Sequence, residues 1–108
     1  MAWQKVASLD GLRDGEAAAV KVGERDIAVF RLGDDVYATS GICPHASGSL
    51  AEGFVERANG TVECPLHQAL FDVRTGKVLS GCAEENLEIY TVKIDGREVL
   101  IDIDAATK

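Results

Sequence analysis

Two short segments hold most of the chemically distinctive residues of this chain. Both of its histidines, both of its prolines and two of its three cysteines lie within residues 43–45 and 64–67. These segments are Cys43-Pro44-His45 and Cys64-Pro65-Leu66-His67. Thiolate and imidazole are metal donors, and proline stiffens a loop because its φ angle is fixed and it has no N–H. The pattern predicts one metal site, so the fold has to bring two tight loops together.

The order of the donors favours one kind of metal site over another. Two Cys and two His also form structural zinc sites, but zinc fingers usually group the two Cys together and the two His together. Here each Cys is followed closely by a His, and no helical pattern comes after. The arrangement resembles the Rieske motif, in which two Cys hold one iron of a 2Fe-2S cluster and two His hold the other. The pattern therefore favours one-electron transfer, and zinc remains the alternative.

This resemblance extends over nearly the whole chain. The matching segments are Tyr37-Ala38-Thr39, Gly53, Cys64-Pro65-Leu66-His67-Gln68, Phe71-Asp72 and Thr75-Gly76-Lys77. They resemble the small Rieske ferredoxins of bacterial aromatic-ring-hydroxylating dioxygenases. The resemblance implies that Cys43, His45, Cys64 and His67 bind a single 2Fe-2S cluster.

The resemblance also implies the partners of the chain. Ferredoxins of this kind take electrons singly from a flavin-containing, NAD(P)H-dependent reductase and pass them to a terminal oxygenase. A Rieske-type small subunit of another reductase, of the nitrite reductase type, is the second interpretation. A zinc-stabilised interaction module is a distant third.

The small number of histidines argues against catalysis by this chain. A complete Rieske oxygenase needs a further iron held by two His and a carboxylate, but both histidines are already assigned to the cluster. The chain also lacks a glycine-rich dinucleotide fingerprint. We therefore expect an electron carrier and not an enzyme.

Length and charge restrict the other possibilities. The chain has 108 residues, which corresponds to a single domain with a modest core. Its net charge of −7 makes nucleic acid an unfavourable partner. No apolar run is long enough to span a membrane, and no export pattern is present. Since Cys82 has no cysteine left to pair with, a reducing compartment is favoured. We expect a cytoplasmic monomer.

Turn signals divide the chain into short strands. Glycines with polar neighbours, as in Asn59-Gly60 and Asp95-Gly96, separate runs rich in Val, Ile, Tyr and Phe. The strands predicted are 2–7, 17–22, 26–32, 35–40, 53–57, 61–64, 70–73, 77–80, 86–94 and 97–103. The fold predicted is all-β, an antiparallel Rieske-type sandwich or small barrel. In it a cluster-binding subdomain, about 41–80, is inserted into a basal part made of about 1–40 and 81–108.

Residues beside the ligands are expected to tune and protect the site. Leu50 and Phe54 lie between the two ligand segments and are expected to cover the cluster. Ala69 and Phe71 replace the Ser and Tyr that high-potential Rieske proteins carry, and neither offers a hydroxyl donor. The midpoint potential is therefore expected in the lower part of the Rieske range, roughly −150 to +300 mV.

The electron is expected to enter and leave at the tip of the cluster-binding subdomain. Thiolate ligands are charged and are best protected inside the protein, whereas neutral imidazoles tolerate the surface. The His-bound iron should therefore be outermost. The ligand loops supply an apolar rim for docking, composed of Pro44, Ala46, Pro65 and Leu66.

Overall fold

Three antiparallel sheets are stacked so that the middle sheet is covered on both faces. The protein is represented by a computed structural model, which describes residues 3–42, 49–65, 69–80 and 86–103. The strands are β1 (Trp3–Ser8), β2 (Ala17–Val22), β3 (Arg25–Leu32), β4 (Asp35–Ser40), β5 (Phe54–Glu56), β6 (Thr61–Glu63), β7 (Leu70–Asp72), β8 (Val78–Ser80), β9 (Ile89–Tyr90), β10 (Val92–Asp95) and β11 (Glu98–Asp102). The sheets have the orders β1-β11-β10, β2-β3-β4-β9 and β5-β6-β7-β8.

Strand β3 explains the layered arrangement. Successive side chains of a strand point to opposite faces. Ala28 and Phe30 pack with the sheet β5-β6-β7-β8, whereas Ile27 and Val29 pack with Val99 and Ile101 of β11 on the other side. A continuous apolar run is what a strand needs when both of its faces are buried.

The predicted fold class is confirmed, since the described strands pair in antiparallel sheets. Among the described residues, the only helical element is a single 3-10 turn at Leu50–Glu52. None of the described helical structure is long and apolar enough to cross a membrane.

The prediction of one strand over 86–94 is wrong. The chain forms two strands there, because it passes from one sheet to another at Thr91. Strand β9 pairs with β4, and β10 pairs with β11. The carbonyl of Thr91 accepts a hydrogen bond from the Asp102 N–H, at 3.1 Å, so the crossover point itself is anchored on β11.

Candidate metal centre

The second ligand segment begins where β6 ends. Cys64 directly follows Glu63, the last residue of β6, and its side chain is fully buried. Its N–H donates to the carbonyl of Ala69 at 2.8 Å, so a hydrogen bond joins the two residues on either side of 65–68. Pro65 at the start of this loop is exposed, whereas Leu66 and His67 lie outside the described residues. The loop is thus held at its base by a strand-like contact between its two ends.

The residues that flank the first ligand segment are joined in a similar way. Gly41 follows β4, and its N–H donates to the carbonyl of Asp26 at 2.7 Å. The N–H of Leu50 donates to the Gly41 carbonyl at 2.9 Å, and Ile42 and Ser49 form an isolated antiparallel bridge. Ile42 and Ser49, the described residues on either side of 43–48, therefore lie side by side. The predicted ligands Cys43 and His45 lie outside the described residues.

The bases of the two loops share one buried cluster of side chains. Leu50 from the end of the first loop packs in the same cluster as Cys64, Ala69 and Phe71. The connecting backbone is also in close contact, because a Cβ added to Gly53 would lie 2.1 Å from the carbonyl oxygen of Glu63. The fold thus brings together the bases of the two loops that carry the predicted ligands.

The surroundings of Cys64 fit a thiolate that binds a metal from the protein interior. Its thiol is fully buried among apolar side chains, and it forms no disulfide within the described part of the chain. A buried thiol without a partner is well protected from water, which suits the inner side of an iron-sulfur site. Of the four predicted ligands, Cys64 is the one that the structure describes.

Leu50 and Phe54, the two residues expected to cover the cluster, differ in burial. Leu50 is fully buried in the same group of side chains as Cys64, and its covering role stays a prediction. Phe54 does not cover the site, because its side chain is 74% exposed. It stands on the row of β5 that faces away from the core, opposite Glu63, whereas Val55 takes the inward position.

An ion pair near this sheet was not anticipated from the sequence. Arg57, after β5, donates from Nε to both carboxylate oxygens of Asp14 at 2.6 Å. The Gly33 N–H also donates to Asp14, at 2.7 Å. The hydrogen bonds from Arg57 and Gly33 lower the pKa of Asp14, and the contact with Asp14 raises the pKa of Arg57. No local pattern indicates a pairing between residues so far apart in the chain.

Comparison with known proteins identifies the family. The model of the Rieske [2Fe-2S] domain matches residues 2–91. The chain belongs to the Rieske family. This Rieske chain is 38% identical to the anthranilate 1,2-dioxygenase ferredoxin subunit of Burkholderia cepacia, over 94% of its own length and 92% of that protein. It is 39% identical to the biphenyl dioxygenase ferredoxin subunit of Pseudomonas sp. (strain KKS102), over 98% and 96%.

The chain is also similar to solved structures of dioxygenase ferredoxins. The ferredoxin of carbazole 1,9a-dioxygenase from Nocardioides aromaticivorans IC177 superposes with a TM-score of 0.89 at 38% identity, covering 94% of this Rieske chain and 97% of that one. A chain from the complex of reduced oxygenase and oxidized ferredoxin in carbazole 1,9a-dioxygenase has a TM-score of 0.85 at 34% identity, covering 92% and 91%. A putative nitrite reductase small subunit is less similar, with a TM-score of 0.78 at 25% identity and coverage of 94% and 98%.

These matches confirm several predictions from the sequence. The cofactor of this Rieske ferredoxin is one 2Fe-2S cluster, and the zinc interpretation is not supported. The relatives are electron-transfer components of dioxygenase systems, so the chain is an electron carrier and not an enzyme. The assignment of Cys43, His45, Cys64 and His67 as the ligands remains a prediction.

Proposed function

We propose that this Rieske ferredoxin takes single electrons from a flavin-containing, NAD(P)H-dependent reductase and delivers them to the terminal oxygenase of an aromatic-ring dioxygenase system. The observation that carries the proposal is the buried Cys64 thiol at the base of one closed loop, packed with Leu50 from the base of the other. The dioxygenase ferredoxins that match almost the whole chain support the choice of partners.

The proposal assigns the cluster to the two loops. Cys43 and Cys64 would hold the inner iron, and His45 and His67 the outer one, because the Cys64 thiol is fully buried and neutral imidazoles tolerate a position near the surface. When bound, the cluster supplies reversible one-electron chemistry at a moderate potential. Residues of about 41–80, which contain the sheet β5-β6-β7-β8, would form the cluster-binding subdomain. The basal part would comprise about 1–40 and 81–108.

Electrons would pass through the tip of the two loops. Pro65, at the start of the second loop, is exposed and apolar. The other residues of the proposed rim, Pro44, Ala46 and Leu66, lie outside the described residues. A small apolar contact suits brief redox encounters, which use interfaces at the low end of the size range. We infer a monomer in the cytoplasm, where a third, unpaired cysteine is kept reduced.

The ligand assignment is tested by substitution with a matched control. His67→Ala should lose the native cluster, which would be seen as loss of iron, of acid-labile sulfide and of the EPR signal of the reduced protein. Cys64→Ser should do the same, whereas Cys82→Ser should retain all three, because the four ligands are complete without it. A native EPR signal in His67→Ala, or loss of iron in Cys82→Ser, would show that the ligand set is wrong.

The function is tested by anaerobic electron transfer. The chemically reduced ferredoxin would be mixed with oxidised terminal oxygenases of the anthranilate, naphthalene, biphenyl and carbazole systems, which are the systems of its relatives. Reduction of at least one oxygenase at a rate that rises with ferredoxin concentration is expected. Transfer to none of them, with rapid transfer to a nitrite reductase instead, would overturn the proposal in favour of the second interpretation.

A further inference from the structure

The outer face of the sheet β5-β6-β7-β8 carries a row of four paired side chains, two of them apolar, next to the metal centre. Cross-strand pairing places Phe54, Glu63, Leu70 and Ser80 side by side on this face. Glu63 and Leu70 are the strand residues that flank the closed loop between Cys64 and Ala69. The row therefore lies at the end of the sheet where the second ligand loop emerges.

Large apolar side chains in this row and beside it are exposed. Phe54 is 74% exposed, and Leu79, the extra residue where the register of β7 and β8 shifts, is 51% exposed. Leu70, between them, is half-buried. Neighbouring strands are about 4.8 Å apart, so the row spans roughly 14 Å across four strands. Isolated exposed apolar residues are ordinary, but several together beside a functional site indicate an interaction surface.

Three carboxylates lie close to Phe54 in the chain or on its face of the sheet. Glu52 precedes it in the chain, Glu63 is its cross-strand partner, and Glu56 lies on the same face of β5. Among the residues that the structure describes, none of these three carboxylates forms an ion pair. The nearby cation, Arg57, is held by Asp14. The surface is thus an aromatic side chain framed by carboxylates.

We propose that Phe54, with Glu63 and Leu70, forms a docking surface for the terminal oxygenase and that Phe54 is its anchor. The complementary surface of the oxygenase would be an apolar socket with arginine or lysine residues at its rim. We call these three residues the Phe54 surface. The inference rests on the proposed function, and it extends the docking site from the tip of the ligand loops onto the outer face of the sheet.

The position of the Phe54 surface favours a redox partner over other occupants. Glu63 is joined directly to Cys64, so a protein seated on this surface lies beside the second ligand loop and is continuous with the proposed tip. Aromatic side chains are frequent anchors of protein interfaces because they bury a large area with few rotatable bonds. The carboxylates would raise the association rate with a basic partner in a manner that salt weakens.

The experiment follows electron delivery to the oxygenase alone, without a reductase. The ferredoxin is reduced chemically and mixed anaerobically by stopped flow with the oxygenase that accepts its electrons fastest in the four-system comparison above. One electron leaves the ferredoxin and enters the oxidised oxygenase. The rate is measured over a range of concentrations and salt, so that the apparent Kd is obtained separately from the limiting rate.

Three substitutions test the surface, and two others serve as controls. Phe54→Ala should weaken the apparent Kd about tenfold, as expected for an interface anchor, and Phe54→Tyr should restore it. Glu63→Gln should lower the association rate about twofold at low salt, and the difference should vanish at high salt. Ile94→Ala and Asp95→Asn remove an exposed apolar side chain and a charge from β10, in a different sheet, and should change neither quantity.

The outcomes separate this inference from the proposed function. An unchanged midpoint potential and EPR spectrum in Phe54→Ala, with a weaker Kd, would support the docking role. An unchanged Kd in Phe54→Ala, while the wild-type protein reduces the oxygenase normally, would overturn the inference and leave the proposed function intact. An equal effect of Ile94→Ala would also overturn it. Failure of the wild-type protein to reduce any of the four oxygenases would overturn both.

Discussion

Substitution of Gly53 by alanine should destabilise the base of the metal centre. Gly53 has a φ of −78° and a ψ of −177°, which any residue adopts, so the backbone conformation does not require glycine. The space does. An added Cβ would lie 2.1 Å from the Glu63 carbonyl oxygen, 3.1 Å from its carbonyl carbon and 3.2 Å from the Leu50 oxygen. All three atoms belong to the backbone, so no side-chain rotation relieves the contact.

The magnitude follows from the displacement that is needed. The two backbones would have to separate by about 1 Å before the contact becomes tolerable, which stretches the adjoining β5–β6 hydrogen bonds beyond bonding range. Loss of one or two such bonds, with the disturbed packing of this sheet, costs about 2 kcal/mol. For a domain of this size the thermal midpoint should fall by about 10 °C. Because Glu63 precedes Cys64, iron content should fall as well.

Gly11→Ala is the matched control. Gly11 also lies outside the left-handed region, and the atom nearest to an added Cβ is the Ser8 oxygen at 3.8 Å, an ordinary contact. Both variants would be followed by circular dichroism on heating, with iron and sulfide determined before each scan. If Gly53→Ala melts within about 2 °C of the wild type and carries its full iron and sulfide, the close-approach argument is refuted.

Three further predictions concern the potential, the acid stability and the packing of the loop base. Ala69→Ser places a hydroxyl in the same buried cluster as Cys64. A hydrogen bond that favours the reduced state by about 1 kcal/mol raises the midpoint potential by about 40 mV. A redox titration that shows no rise contradicts the argument that the missing hydroxyl lowers the potential. Asp14→Asn should be less stable than the wild type at neutral pH, because Arg57 lowers the pKa of Asp14 in the folded state. That difference in thermal midpoint should shrink as the pH falls below about 4, and a difference that grows in acid would show that the sign is wrong. Leu50→Ala removes a fully buried side chain and should cost about 2 to 5 kcal/mol; unchanged urea unfolding would show that the two loop bases do not depend on this contact.

Local patterns in the chain were sufficient to predict most of the strands. The last hairpin is an example, since the predicted strand 97–103 contains β11, Glu98–Asp102. The turn before it consists of Gly96 and Arg97, one residue later than the predicted Asp95-Gly96. Gly96 has a φ of +62°, the left-handed conformation that such a turn favours. Alternation and turn chemistry involve residues within a few positions of each other, so they can be read without knowledge of the fold.

The division of the predicted strand 86–94 could not be found in this way. Its residues are uniformly compatible with an extended chain, and the break at Thr91 arises because β4 lies on one side and β11 on the other. The exposure of Phe54 has the same origin. An aromatic residue in a short strand is ordinarily assigned to the core, but the register with β6 turns Val55 inward and Phe54 outward.

At the metal centre too, local sequence features could be predicted, whereas contacts between distant residues could not. The kinds of donor and their spacing were enough to predict a mixed Cys-His iron-sulfur site, because ligand chemistry depends on residue type. The meeting of the two loop bases depends on contacts between residues that are remote in the chain, such as the buried cluster that includes Leu50 and Cys64 and the hydrogen bond from Gly41 to Asp26. So does the pairing of Asp14 with Arg57. The partners in such contacts are brought together by the burial of apolar surface in the folded protein and not by proximity in the sequence.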